Sequence, residues 1–256
     1  MSLPLLPAIL PLEVKSLIWV LLDDKILAKD HPEVFWAIAP DYLRFLTIGI
    51  SFKSLDAVLQ TGLVDIYPEC GHLVERLTLM TDILSIDIIN DFLQNFPTHR
   101  KLRHLCINLS PVALSLRFPT QLPYFQPLIN LIAESPNMTR LSFENIQPHH
   151  KLINAAPQLT RLDIGLIYPS EEETLVPLSS HIQILSITPS VVLYMTDPPP
   201  RTLHTLIIRP DSFTTSFLLE DLQYFIAQCS SLTNIALIDN CTSSIFFDVF
   251  LTNIDF

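Results

Sequence analysis

Seven short stretches share one spacing, apolar-x-x-apolar-x-apolar, and nothing else in the chain restricts its fold as much. They begin at Val74 (V-E-R-L-T-L), Leu102 (L-R-H-L-C-I), Met138 (M-T-R-L-S-F), Leu159 (L-T-R-L-D-I), Ile182 (I-Q-I-L-S-I), Leu203 (L-H-T-L-I-I) and Leu232 (L-T-N-I-A-L). Successive starts lie 28, 36, 21, 23, 21 and 29 residues apart. In a chain of 49% hydrophobic residues such matches arise many times by chance, so specificity must come from the surroundings. Pro-x-apolar leads into two rows, at Pro136-Asn137-Met138 and Pro157-Gln158-Leu159. Five rows carry Asp, Ser or Asn at the ninth position (Asp82, Ser110, Ser190, Asp211, Asn240), where a polar side chain can satisfy turn backbone. Four of these have an apolar residue two places further on (Leu84, Val112, Val192, Phe213). Helical periodicity fills the gaps at Ile83 to Phe96, Pro127 to Ala133, His150 to Ala156 and Phe217 to Gln228. Proline-rich stretches at 111–127 and 189–200 predict irregular chain.

Rows at this period, with helix-like text between them, resemble leucine-rich repeats. The expected fold class is α/β, an irregular leucine-rich-repeat solenoid with a parallel concave sheet over residues 73–256. A helical segment at 1–50 and a connector at 51–72 precede it. Strand residues alternate in direction, so the positions flanking each row's second apolar residue face outward together. Just before it stand Arg76, His104, Arg140, Arg161, Ile184, Thr205 and Asn234; just after it, Thr78, Cys106, Ser142, Asp163, Ser186, Ile207 and Ala236. Arg76, His104, Arg140 and Arg161 then stack about 4.8 Å apart as a basic ladder, with Ser142 and Asp163 beside them. Such a ladder suits an acidic or phosphorylated segment of a protein substrate, held through charge-assisted bidentate contacts. The bland reading is a solvated column partly neutralised by Asp163 and Glu144. The later rows (Ile184, Ile207, Ala236, Ile238) offer a more apolar contact patch.

Composition narrows the class. Hydrophobic content of 49% with 16% charged residues excludes a disordered chain and suits the continuous apolar strip of a solenoid. A net charge of −11 argues against nucleic acid and against an anionic membrane surface as partner. Four cysteines (Cys70, Cys106, Cys229, Cys241) form neither a C-x-x-C pair nor a disulfide framework, which points to the cytoplasm or nucleus. The apolar N-terminus lacks a basic n-region and holds prolines, so it does not read as a signal peptide. The stretch from Thr174 to Thr196 lacks formal charge, but its prolines and hydroxyls do not suit a membrane span.

Residues 8–48 carry no row and both tryptophans. Leu10 to Leu22 reads L-P-x-E-V-x-x-x-I-x-x-x-L: Pro11 suits a helix start, and Val14, Ile18 and Leu22 recur on one face. From residues alone, this is an amphipathic helix capping a solenoid. The run resembles the first half of an F-box, the helical module of cullin–RING ubiquitin ligase receptors. Arg44-Phe45-Leu46-Thr47-Ile48 resembles the segment where fungal F-box proteins enter their first strand, and His72 to Leu79 resembles their first repeat row. The second half departs from that pattern: Ala28 to Glu33 is charged, and Pro32 predicts a helix break there. The resemblance implies a substrate receptor. Leu10, Pro11, Val14, Ile18 and Leu22 would dock a Skp-type adaptor and its cullin ligase, and the concave rows would hold the substrate.

Chemistry has little support. Four glycines (Gly49, Gly62, Gly71, Gly165) form no phosphate cradle, and no G-x-S-x-G elbow is present. His149-His150 and Cys70-Gly71-His72 lack the second pair a metal site needs, so no metal or cofactor is expected. Glu171-Glu172-Glu173 reads as a helix start. The alternative to a ligase receptor is an interaction scaffold without a ubiquitin-ligase role, whose N-terminal helix only caps the solenoid. An enzyme would instead need a deep polar pocket and another strand order.

Overall fold

A computed structural model describes residues 30–50, 71–81, 93, 101–109, 126–145, 150–165, 178–195, 198–209 and 216–238. Each row becomes a strand because β-capable residues alternate between an apolar and a mostly polar side. The strands are β1 (Phe45–Ile50), β2 (Arg76–Thr81), β3 (His104–Leu109), β4 (Arg140–Glu144), β5 (Arg161–Ile164), β6 (Ile184–Ile187), β7 (Thr205–Ile208) and β8 (Asn234–Leu237). They form one sheet in chain order, every neighbouring pair parallel. The architecture is α/β with an open parallel sheet and few helices. Seven rows are read from sequence, and the sheet adds an eighth strand in front: β1 pairs with β2, Phe45 opposite Arg76.

The irregular spacing conceals a strict backbone repeat. At each step one carbonyl, of Arg44, Glu75, Arg103, Thr139, Thr160, Gln183 or His204, accepts from two successive N–H groups of the next row. A tight turn closes just before six of the rows. The N–H groups of Val74, Met138, Leu159, Ile182, Leu203 and Leu232 each donate three residues back, to Gly71, Ser135, Ala156, Ser179, Pro200 and Cys229. Both Pro-x-apolar sequences lie in such turns. Thr139, Thr160 and Thr233 add hydroxyl bonds to the carbonyls of Arg103, Thr139 and His204. Insertions between rows therefore lengthen the crossovers without disturbing the rungs.

The core lies on the apolar side. Leu77, Leu105, Leu141, Leu162, Leu185 and Leu206 are inaccessible to solvent and stand in register, with Leu79, Ile107, Phe143, Ile164, Ile187 and Ile208 forming the next column. Helices of the crossovers cover it. Helix α2 (Gln126–Ala133) buries Leu128, Leu131 and Ile132 at i, i+3 and i+4. It packs on the short α3 (His150–Asn154), which contributes Leu152 and Ile153. Helix α4 (Ser216–Gln228) buries Leu222 and Phe225 and packs on a 3-10 helix, Pro189–Tyr194. That 3-10 helix corrects the expectation of irregular chain after Pro189: Pro at the start supplies a helical φ. Of the ninth-position polar residues only Ser190 lies among the described residues, and its hydroxyl meets that of Thr188 at 3.2 Å.

The expected break at Pro32 is also corrected. Helix α1 (Pro32–Leu43) begins there, since proline at N1 gives up only an N–H that has no intrahelical acceptor. Glu33 complements the first turn, and the charges stay exposed while Phe35, Ile38 and Ala39 are buried. The helix packs on β1 and on the turn Gly71–Leu73, where the Trp36 ring stacks over His72 with centroids 6.4 Å apart. Leu10, Pro11, Val14, Ile18 and Leu22 lie outside the described residues, as does most of the helical run expected from Ile83 to Phe96. Among the described residues, no helix is long and apolar enough to cross a membrane.

Candidate binding face

The sheet's other side brings the sequence-predicted residues together. Arg76, His104, Arg140 and Arg161 are register partners on consecutive strands β2 to β5, continued by Ile184, Thr205 and Asn234. Thr78, Cys106, Ser142, Asp163, Ser186, Ile207 and Ala236 form the second column. Arg76 and Ala236 are exposed, Ile184 and Ile207 half-buried, and Ile238 is 41% exposed, so the apolar end of this face is accessible too.

The four basic rungs are not equivalent. Asp163, only 3% exposed, sits low between the guanidinium groups of Arg140 and Arg161. Arg140 Nε donates to Oδ2 at 2.6 Å, while Arg161 reaches Oδ1 from Nε at 3.1 Å and Nη2 at 3.0 Å. Burial by itself raises the Asp163 pKa, but these hydrogen bonds and the two positive charges outweigh it and hold the carboxyl below its ordinary value. Ser142 donates to the same Oδ2 at 3.0 Å. A carboxylate accepts only, so the hydroxyl proton points to Asp163, and Ser142 Oγ accepts from His104 Nε2 at 2.8 Å.

His104 is therefore corrected from a basic rung to a buried neutral donor. Burial, then the charges of Arg140 and Arg76, push its pKa down from 6.5 to about 3. Cys106 lies between Thr78 and Ser142, and burial first, then Glu144, raises its thiol pKa, so it stays an inert thiol at neutral pH. Glu144, expected to offset the ladder, instead leans across Gly165 to pair with Arg209 Nη1. A Cβ on Gly165 would stand 1.7 Å from Glu144 Oε2, so only glycine leaves that path open. Arg209 Nε and Nη2 are buried without a hydrogen-bond partner among the described residues. Sequence reasoning missed Arg209, although it lies two residues beyond Ile207 on the same side of β7, where the ladder continues by one bond to Ile187.

A serine, a histidine and an aspartate in one hydrogen-bonded chain invite a hydrolase reading, but the order excludes it. A nucleophile needs its proton aimed at histidine and the histidine oriented by the acid. Here serine faces the carboxylate, histidine donates, and Ser142 is 4% exposed. The arrangement can instead present guanidinium groups held in place from below. Among the described residues, no group of three or more His, Cys, Asp or Glu side chains is placed to hold a metal ion. Comparison with protein-family models gives no match to the chain, and comparison with curated proteins gives no related sequence.

Proposed function

We propose that the chain is a non-enzymatic recognition subunit that holds a protein partner on the polar face of its sheet. By the resemblance of residues 10–48 to an F-box, it presents that partner to a cullin–RING ubiquitin ligase in the cytoplasm or nucleus. The rows are taken as leucine-rich repeats. The observation that carries the reading is the register: positions flanking each row's second apolar residue fall into two continuous columns on one side of the sheet, where Arg76 is exposed and Arg140 and Arg161 are half-buried. A receptor of this kind accelerates transfer by raising the effective concentration of its cargo. Pull-down with a Skp-type adaptor tests it. The wild-type chain should retain the adaptor, and the double variant V14E/I18E should lose it with its melting temperature unchanged.

One observation favours a second reading, a scaffold without a ligase role. Phe35, Ile38 and Ala39 of α1 are buried against the start of the sheet, the position of a cap. On that reading no adaptor binds, and V14E/I18E lowers the melting temperature or aggregates the chain.

A further inference from the structure

We propose that the Glu144–Arg209 ion pair is a strap across β4 to β7 that limits how flat the sheet can become, and so holds the width of its polar face. The strap acts on the sheet whether or not that face serves a ligase. Its place follows from the ladder, which continues one residue past the ends of β5, β6 and β7. There the N–H groups of Gly165, Thr188 and Arg209 donate to the carbonyls of Phe143, Ile164 and Ile187 at 2.7, 3.3 and 2.9 Å. In the register of the strands before it, this sets Glu144, Gly165, Thr188 and Arg209 in one row. Arg44 and Glu75 pair ahead of the neighbouring strands β1 and β2, whereas this pair passes over two strands between its ends.

The reach decides what such a pair does. Three strand spacings separate β4 from β7, about 14 Å. Glu144 covers the first, since its Oε2 lies 1.7 Å from the place of a Cβ on Gly165. Arg209 has the other two to cross, about 9.6 Å less a hydrogen bond of about 2.8 Å. The remainder, about 7 Å, is the full Cα-to-Nη length of an extended arginine. The strap therefore has little slack, and flattening the sheet pulls its ends apart. It crosses β6 at Thr188, which is 6% exposed although it stands on the polar side, and whose ladder bond is the longest of the three. Arg209 also buries Nε and Nη2 without a hydrogen-bond partner among the described residues. Buried unpaired donors cost stability, so a positional role accounts for the pair better than net stabilisation does.

The test is the distance between nitroxide labels at M80C and I238C, measured by pulsed electron resonance in a chain whose four native cysteines are replaced by alanine. Met80 and Ile238 are the exposed ends of the same row, six spacings or about 29 Å apart along the sheet. E144A and R209M should each lengthen that distance by about 3 Å or more, roughly a tenth of the span, and the double variant should lengthen it no further. E75A, which breaks the pair beside β1 and β2, should leave it unchanged. Amide hydrogen exchange repeats the test with the native cysteines in place. E144A should speed exchange at Thr188, two strands from the substitution, at least about tenfold and leave Leu77 as it was. An unchanged label distance in E144A, a shift of the same size in E75A, or a Thr188 amide that exchanges as in wild type would overturn the proposal.

Discussion

Replacing Asp163 by alanine probes the group on which the polar face is built. The substitution removes the acceptor of Ser142, a residue 4% exposed, and an unsatisfied buried hydroxyl costs about 1–3 kcal/mol. It also unpairs Arg140 and Arg161, whose side chains are 33% and 29% exposed. They can turn partly to water, so each adds only about 0.5–1 kcal/mol. The expected loss is about 2–5 kcal/mol at pH 7, read from urea midpoints with an unchanged slope. The pH dependence gives a second check. A carboxylate held below its unfolded value of about 3.9 contributes stability that is complete above that pH. The contribution is lost as pH falls through the folded value. The gap between wild type and D163A should hence stay constant from pH 7 to 5 and narrow below about pH 4. A loss under about 0.5 kcal/mol, or a gap that widens in acid, would refute the pairing.

Three other perturbations address separate parts. H104Q should remove an acid sensitivity. The folded imidazole titrates near 3 against 6.5 unfolded, so stability present above pH 6.5 falls by up to about 1.4 kcal/mol per unit below it, and the variant should flatten that slope in pH-dependent urea melts. G165A forces Glu144 away from Arg209 and should cost about 1–2 kcal/mol by thermal melt; in an E144A background the cost should vanish. L162A, at an inaccessible position of the central core column, should cost about 2–5 kcal/mol by urea denaturation, whereas Y224A on the exposed side of α4 should stay within about 0.5 kcal/mol.

The rungs were legible because alternation is local. Burying Leu141 and Phe143 places Arg140, Ser142 and Glu144 on the opposite side, whatever the crossover length. Helices α2 and α4 were legible from the same kind of periodicity. What sequence could not supply was depth and pairing within the columns. His104 reads as a cation until neighbouring Arg140 and Arg76 and the burial of its strand are known. Glu144 lies two residues from Ser142 in sequence, and its partner is 65 residues away, reached only because Gly165 has no side chain. Pro32 breaks no helix because it stands at the first position of α1, where its missing N–H has no intrahelical acceptor to lose.

The binding face depends most on the eight strands being successive parallel rungs, since that alone sets Arg76, His104, Arg140 and Arg161 side by side. Nuclear Overhauser contacts between backbone amides of the deuterated chain measure this directly. Rung-to-rung contacts should run in parallel register from Leu77 through Leu105, Leu141, Leu162, Leu185 and Leu206 to Ile235. An antiparallel pattern, or a break in the series between Leu77 and Leu162, would contradict the fold and with it the binding face.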